Sequence, residues 1–186
     1  HNYAQRIEKP ECIVVISAHW LTRGTLITGS NHPKQLFDFY GFPAELYNIK
    51  YTPQGSNKTA QYICYYSQDI SIDENRGLDH AAWAILKHMY PQADIPVLEM
   101  SIDMTKTPEE HYLFAKQLSR FRENGILFIG SGNLIHNLQV FDFQIDSLPM
   151  KWALDIDSVL KEKLEQKNIH DLIHYQHGIK NYQMAI

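Results

Sequence analysis

Two histidines that follow hydrophobic segments give the first indication of chemistry in this chain. His19 comes shortly after the segment Cys12 to Ser17, and His136 comes shortly after the segment Ile126 to Gly130. Both segments are typical of buried parallel strands, whose carboxyl ends meet at one edge of a sheet where ligands bind. Because imidazole is the commonest side-chain ligand of first-row metals, the pair predicts a metal site at that edge.

A third histidine, His80, stands next to Asp79 at the predicted start of a helix. The positive end of the helix dipole disfavours a protonated ring at this position. A neutral imidazole can accept a proton from a substrate hydroxyl or form a hydrogen bond with it. The residues alone leave two interpretations open: His80 handles protons in a reaction, or Asp79 and His80 only cap the helix.

An aromatic segment at residues 38–43 lies between His19 and His80 in the sequence. It reads Asp-Phe-Tyr-Gly-Phe-Pro and supplies Phe39, Tyr40 and Phe42. Such side chains can form the wall of an apolar pocket for a flat substrate. They can equally well cover one face of the sheet, and the sequence favours neither alternative.

The elements that would position these residues alternate between short strands and amphipathic helices. Hydrophobic patterning predicts strands over residues 12–17, 25–28, 95–102 and 126–130. Cap residues and apolar spacing predict helices over 58–67 and 80–90, from Thr107 to before Gly125, and along a stripe from Trp152 to Leu164. We expect the last two helices to pack their apolar stripes, which include Leu113 and Leu164, against the sheet. The alternation predicts an α/β fold, a single domain with a mostly parallel or mixed central sheet flanked by helices.

The composition argues against several classes of function. The chain has 186 residues, of which 44% are hydrophobic and 20% charged, and its net charge is −4. It offers no basic stripe for a phosphate backbone, so nucleic acid is not an expected partner. No apolar run approaches the roughly 20 residues that a membrane span requires. The two cysteines make no disulfide framework, a usage that fits a cytoplasmic protein.

Several short motifs along the chain occur in the same order in a known enzyme family. These motifs are Ser17-Ala18-His19-Trp20, Asp38-Phe39-Tyr40-Gly41-Phe42-Pro43, Gly77-Leu78-Asp79-His80-Ala81-Ala82-Trp83, Met89-Tyr90-Pro91, Ile95-Pro96-Val97 and Ser131-Gly132-Asn133-Leu134-Ile135-His136-Asn137-Leu138. In content and order they resemble the class III extradiol ring-cleavage dioxygenases, and most closely the 4,5-DOPA extradiol dioxygenase branch. The resemblance covers nearly the whole chain.

That family has an α/β fold and a histidine-rich, non-haem metal site, with ferrous iron in turnover and often zinc in the purified protein. The resemblance implies that His19 and His136 belong to the metal site and that His80 lies beside the substrate. In distant relatives the residue that matches His136 is a catalytic base, so both roles stay open for it. The resemblance further implies a substrate pocket shaped by four aromatic residues, namely Trp20, Phe39, Tyr40 and Phe42.

Two motifs of the family do not occur in the sequence. One is a His-Gly-Ser-Pro-like loop after a first strand, and the other is a terminal His-Tyr/Phe-x-Pro-Leu-like segment; each carries a metal-binding histidine in the family. We therefore expect residues 1–186 to be an extradiol dioxygenase-like catalytic domain trimmed at both ends. Two protein ligands would bind a metal weakly, because first-row metal sites usually have three or four.

The leading hypothesis is a metal-dependent extradiol dioxygenase that cleaves the ring of a DOPA-like catechol with O2. Its expected partners are a small catecholic substrate and O2, and it would be a monomer or a small homo-oligomer. One alternative is a zinc-dependent hydrolase on the same scaffold, with a metal-bound water as nucleophile. The other alternative is a non-catalytic module for metal binding or interaction. Iron-dependent oxygen uptake with a catechol separates the first hypothesis from the hydrolase, and metal titration of the full-length protein separates an enzyme, with a tight one-to-one site, from a module.

Overall fold

A strand buried on both faces organises the sheet in this computed structural model, which describes residues 4–140, 142, 144 and 146–185. The described residues form a sheet with the strands β1 Cys12–Thr22, β2 Thr25–Thr28, β3 Ile70–Asp73, β4 Val97–Asp103 and β5 Ile126–Ser131. Their order across the sheet is β3-β2-β4-β1-β5. Strand β1 is parallel to β4 and β5, whereas β2 is parallel to β3 and antiparallel to β4. The predicted α/β fold with a mixed central sheet is confirmed.

Helices connect and follow these strands. The α-helices are α1 Ala44–Tyr47, α2 Asn57–Tyr66, α3 His80–Met89, α4 Pro108–Leu118, α5 Lys151–Glu165, α6 Ile169–Ile173 and α7 Tyr175–Gly178, and the 3₁₀ helices are Ala4–Arg6, Ser119–Asn124 and Tyr182–Ala185. Within the described part of the chain, no helix is long and apolar enough to cross a membrane. The chain forms two units, one with the residues up to Lys106 and Leu113–Gly132, the other with Thr107–Tyr112 and the residues from Asn133 onward.

Alternating side chains of β1 pack into two cores on opposite faces of the sheet. Val14 belongs to one core, to which α2 contributes Ile63 and α4 contributes Leu118. Ile13 belongs to the other core, to which α3 contributes Trp83. Both β1 side chains are completely buried. A strand covered on both faces needs apolar residues at every position, which is why the sequence of β1 is continuously hydrophobic.

Polar cap residues fix the starts of two helices where the sequence predicts them. The Asp79 carboxylate accepts a hydrogen bond of 2.9 Å from the N–H of Ala81 at the start of α3. At the start of α4, the Glu110 N–H donates to Thr107 Oγ1 at 3.2 Å, and the Thr107 N–H donates to Glu110 Oε2 at 2.7 Å. These reciprocal bonds form the predicted capping box.

The boundaries of two strands differ from the prediction by more than one residue. Strand β1 continues beyond Ser17 to Thr22, and its register with β4 shifts between Ile16 and Leu21. His19 therefore lies on an irregular part of the strand rather than after its end. Strand β4 begins at Val97 instead of residue 95, because a proline, which has no N–H for the ladder, stands just before it. The sequence does not predict β3 or α1, which have four residues each and no continuous apolar run.

The apolar stripes of α4 and α5 are narrower than predicted. On α4, Phe114 packs into a core, but Leu113 is 51% exposed. Consecutive residues point about 100° apart on a helix, so Leu113 cannot share the buried face of its neighbour. On α5, Ile156 packs against Ile179 of the same unit, and Leu164 in the last turn is 54% exposed. The prediction that Leu113 and Leu164 pack against the sheet is wrong.

Replacing Leu98 by alanine should destabilise the protein by about 2–5 kcal/mol, because its side chain is completely buried in β4 and its removal leaves a cavity. The matched change Leu113→Ala on the exposed side of α4 should alter stability by only about 0.5 kcal/mol. Urea unfolding of both variants measures the difference in the free energy of unfolding. Equal losses would contradict the packing described for the two leucines.

Candidate active site

His19 is held on the irregular part of β1, next to the end of β5. Ser17 pairs with Ser131 in the parallel register of the two strands. The N–H of His19 donates a hydrogen bond of 3.0 Å to Ser17 Oγ, which fixes the backbone at this point. The imidazole itself is 40% exposed. The first histidine of the predicted site is thus accessible from the sheet edge.

Asp38 binds His80 through two hydrogen bonds. Its Oδ1 atom accepts from the backbone N–H of His80 at 2.9 Å and lies 2.8 Å from Nδ1 of the His80 ring. Because an ionised carboxylate only accepts hydrogen bonds, Nδ1 carries a proton, and whenever the ring is neutral Nε2 is its acceptor atom. Burial opposes ionisation of Asp38, but the hydrogen bonds from His80 outweigh it and hold the pKa of Asp38 below its ordinary value.

The segment that carries Asp38 is attached to the start of α3 by a short backbone bridge. Leu78 exchanges two hydrogen bonds of 2.8 Å with the segment 34–36. The backbones approach so closely that a Cβ atom at Gly77 would lie 2.1 Å from the carbonyl oxygen of Lys34. Glycine is therefore required at position 77, and the bridge keeps Asp38 beside the first residue of the helix.

His19, Asp38 and His80 together form a cluster of possible metal ligands. The rings of His19 and His80 have centroids 4.2 Å apart, and His19 Nδ1 lies 3.8 Å from Asp38 Oδ2. One ligand atom from each residue lies within 4.8 Å of the others. Atoms bound to one ion by bonds of about 2.1 Å are at most about 4.2 Å apart, so small side-chain rotations would suffice. Two imidazoles and one carboxylate are also the donor set that non-haem ferrous sites use. The residues fit a divalent first-row metal.

The buried carboxylate of Asp79 connects the part of β1 that carries His19 with the start of α3, where His80 lies. It accepts hydrogen bonds from Ser17 Oγ at 2.8 Å and from Arg76 Nη2 at 2.8 Å, besides the one from the N–H of Ala81. Its side chain has no exposed surface. Because Ser17 also accepts the N–H of His19, one carboxylate connects the strand that carries His19 with the helix that begins at His80.

A second buried acid, Glu99 of β4, lies beneath Asp79. Its Oε2 atom accepts the backbone N–H of Asp79 at 2.8 Å. Its Oε1 atom lies 3.5 Å from Arg76 Nη2 and has no hydrogen-bond partner among the described residues. Burial, reinforced by the nearby charge of Asp79, raises the pKa of Glu99 to about 9, although Arg76 acts in the opposite direction. Glu99 is therefore protonated at neutral pH.

An apolar cavity of about 270 Å³ opens beside His80. Its lining consists of Phe39, Phe42, Leu46, Ile49, His80, Trp83, Ala84, Lys87 and His88. The ring of Phe39 stands perpendicular to that of His80 with centroids 5.4 Å apart. Trp83 is fixed by a hydrogen bond of 2.7 Å from its Nε1 atom to the Leu36 carbonyl. The cavity offers aromatic walls to a flat ligand whose polar edge would meet His80.

The other predicted site residues lie elsewhere. Trp20 is 7% exposed, with the guanidinium of Arg76 5.2 Å from its ring centroid, and Tyr40 is 91% exposed. Neither of them lines the cavity beside His80. His136 belongs to the second unit, where it lines a cavity of about 350 Å³ and donates its backbone N–H to the Ala185 carbonyl at 2.6 Å. Its roles in metal binding and proton transfer stay predictions, as do the pocket roles of Trp20 and Tyr40.

Three acids of this region had no role in the sequence prediction or only a minor one. The sequence assigns no function to Asp38, indicates only a helix cap at Asp79 and gives no role to Glu99. The sequence does offer one indication that Glu99 has a role, namely its position as an acid inside an otherwise apolar strand. A buried charge requires partners. Nothing local pairs Asp38 with His80, since 42 positions separate them.

The raised pKa of Glu99 predicts how stability depends on pH. The folded protein keeps a proton on Glu99 that the unfolded chain releases above the ordinary pKa of 4.5. The contribution of Glu99 to the free energy of unfolding is therefore fully present below that pH, and it is lost as the pH rises towards about 9. In Glu99→Gln, the amide oxygen can still accept the Asp79 N–H, but this loss should disappear. Urea unfolding between about pH 5 and pH 9 should show the variant gaining stability over the wild type as the pH rises. Parallel pH profiles would contradict the prediction.

Comparisons with known proteins agree with the geometry. A family model described as the catalytic LigB subunit of aromatic ring-opening dioxygenase matches residues 2–185. The 4,5-DOPA dioxygenase extradiol of Escherichia coli K12 is 36% identical over 95% of this chain and 65% of its own length. The proteins of the same name from Beta vulgaris and Mirabilis jalapa are 34% and 33% identical, each over 96% of this chain and 68% of their own length.

A solved structure extends the comparison to the fold. The crystal structure of an uncharacterized protein from Escherichia coli K12 matches with a TM-score of 0.80 and 31% sequence identity, over 99% of this chain and 72% of that one. The chain spans about two thirds of the length of these relatives. Family model, relatives and fold agree, and the chain belongs to the LigB family of class III extradiol dioxygenases.

Proposed function

We propose that this protein is a metal-dependent extradiol dioxygenase that cleaves the ring of a catechol such as DOPA with O2. The observation that carries the proposal is the convergence of His19, Asp38 and His80 beside an aromatic cavity. Relatives named as 4,5-DOPA dioxygenases support the class of substrate. The proposal concerns the whole protein, of which this chain supplies the residues discussed below.

In the proposal, His19 and His136 hold a ferrous ion, in keeping with the family resemblance. When bound, ferrous iron supplies the redox chemistry with O2 and brings both reactants together. Both imidazoles would bind as neutral rings through one nitrogen each. Asp38 lies near enough to His19 to be a ligand itself, but its two hydrogen bonds with His80 favour an orienting role.

His80 is the residue proposed to move the proton of a catechol hydroxyl. With Nδ1–H donated to Asp38, the Nε2 atom accepts the proton, and the ring becomes an imidazolium that the Asp38 carboxylate stabilises. The same ring later returns this proton to the ring-opened product, so no net proton stays on the protein. Asp38 thereby fixes both the tautomer and the orientation of the base, as a carboxylate partner does in other acid–base sites.

The aromatic cavity binds and orients the ring in this proposal. Phe39 and Trp83 present flat apolar surfaces that exclude water from the reacting face of the substrate. Exclusion of water strengthens the interaction between the hydroxyl and His80, because the local dielectric constant is low. The product would contain both atoms of O2 and carry an aldehyde and a carboxylic acid at the former ring carbons.

Reconstitution with ferrous iron tests the proposed reaction. Purified full-length protein is loaded under nitrogen, mixed with L-DOPA and then exposed to air. We expect O2 consumption and a yellow semialdehyde, both lost in His19→Ala together with most of the bound iron. The exposed His32→Ala serves as a matched control that keeps both readouts. A reaction that proceeds under nitrogen would point to a hydrolase, and iron bound without any turnover would point to a non-catalytic module.

Asp38→Asn separates an orienting role from a ligand role. The amide keeps a side chain of the same shape, but it no longer stabilises the required His80 tautomer or the imidazolium. We expect the turnover number for L-DOPA to fall by about 10²–10⁴-fold, the range for loss of acid–base catalysis, with the iron content unchanged. Asp94→Asn, which changes an exposed carboxylate elsewhere, should have wild-type activity. Loss of iron from the Asp38 variant would make Asp38 a ligand instead.

A further inference from the structure

We infer that Lys87 is a specificity-determining residue that binds a carboxylate at the end of the cavity opposite His80. The inference rests on the proposed function, since it takes the cavity beside His80 as the substrate site. Lys87 lines the same cavity as His80 and belongs to the same helix, α3. It adds to the proposed site a charged group that the catechol ring itself does not require.

The spacing along α3 sets the length of the ligand. His80, Ala84 and Lys87 line the cavity from the first turn of the helix to its last. Seven residues at a rise of 1.5 Å place the backbones of His80 and Lys87 about 10 Å apart along the helix axis. A dihydroxyphenyl ring with a two-carbon spacer and a carboxylate has a comparable length, whereas dihydroxybenzoate is shorter by the whole spacer. Ala84 in the middle, with its single methyl group, leaves room for the spacer.

The charge of Lys87 is not neutralised by the protein. Its ammonium forms no ion pair with a carboxylate of any residue that the structure describes. The cavity around it is lined mainly by apolar side chains, and Lys87 is partly buried. A carboxylate that enters this environment gains more from an ammonium partner than it would in water, because screening is weaker.

Acidic side chains are missing from the described residues that line the cavity, and this predicts which charged substituents a ligand can carry. None of the nine residues around the cavity is an Asp or a Glu. The nearby carboxylate of Asp38 is already bound to His80 at the opposite end. Among the residues that the structure describes, the cavity therefore provides an ionic partner for the carboxylate of an amino acid but no acidic side chain for its ammonium group. 3-(3,4-Dihydroxyphenyl)propionate, which lacks the ammonium group, should bind at least as tightly as L-DOPA.

Four catechols of different charge and length test the inference by turnover. They are 3-(3,4-dihydroxyphenyl)propionate, L-DOPA, 3,4-dihydroxybenzoate and the uncharged 4-ethylcatechol. In the wild-type protein, kcat/KM for the propionate should exceed that for 4-ethylcatechol and for the benzoate by about tenfold or more, the factor expected for one matched charged contact. In Lys87→Met this ratio should fall by about tenfold, mainly through KM. In the control Lys58→Met, which removes an exposed lysine of α2, the ratio should persist.

Calorimetric titration keeps the inference separate from the proposed reaction. Binding of 3-phenylpropionate to the metal-free protein should be at least about tenfold tighter in the wild type and Lys58→Met than in Lys87→Met. If no catechol is turned over while this difference is found, the proposed reaction fails and the carboxylate site stands. Equal binding by the wild type and Lys87→Met, or a tenfold preference for L-DOPA over the propionate, would overturn the inference.

Discussion

The buried carboxylate of Asp79 is the constraint on which the site depends. An ionised group without exposed surface must have its oxygen atoms hydrogen-bonded, or it destabilises the fold by several kcal/mol. Asp79 meets this requirement with a strand residue, Ser17, a turn residue, Arg76, and its own helix at Ala81. Satisfying one charge therefore fixes three pieces of backbone, and two of them carry His19 and His80.

The sheet beneath completes this arrangement with a second acid in its neutral form. Glu99 accepts the Asp79 N–H from below, and because its own pKa is raised it adds no second negative charge to the buried pair. The site is thus supported by β4 as well as β1 and α3. The backbone N–H of His19 is two hydrogen bonds away from the buried carboxylate of Asp79, which limits how far this part of β1 can move.

Much of the fold follows from local patterns in the sequence. The continuous hydrophobic run of β1 predicts a strand covered on both faces, and Asp79 and the pair Thr107 and Glu110 predict two helix starts. These predictions are confirmed because each depends on residues that are neighbours in the sequence. The four-residue elements β3 and α1 escape the same reasoning, although β2 of the same length does not. Leu113 shows that an apolar residue beside a stripe does not always belong to it.

The sequence predicts only part of the site. Its histidines stand out by type and by their positions after strands and at a helix start. Their partners do not, because Asp38 reaches His80 only once the segment 34–36 has bridged to Leu78. Glu99 becomes important only when the sheet places it under the backbone of Asp79. Pairings made by tertiary structure leave no periodic pattern in the chain, so local sequence patterns do not predict them.

The close backbone contact at Gly77 prepares the site for a substrate. Two hydrogen bonds of 2.8 Å join the segment 34–36 to Leu78, so the segment that carries Asp38 and the start of α3 form one connected wall of the cavity. Phe42 and Leu46, which follow along the chain, also line the cavity, and the ring of Phe42 packs edge-to-face on that of Phe39. Because the backbone joins this wall before any ligand arrives, Asp38 and His80 are aligned as a pair without help from the substrate.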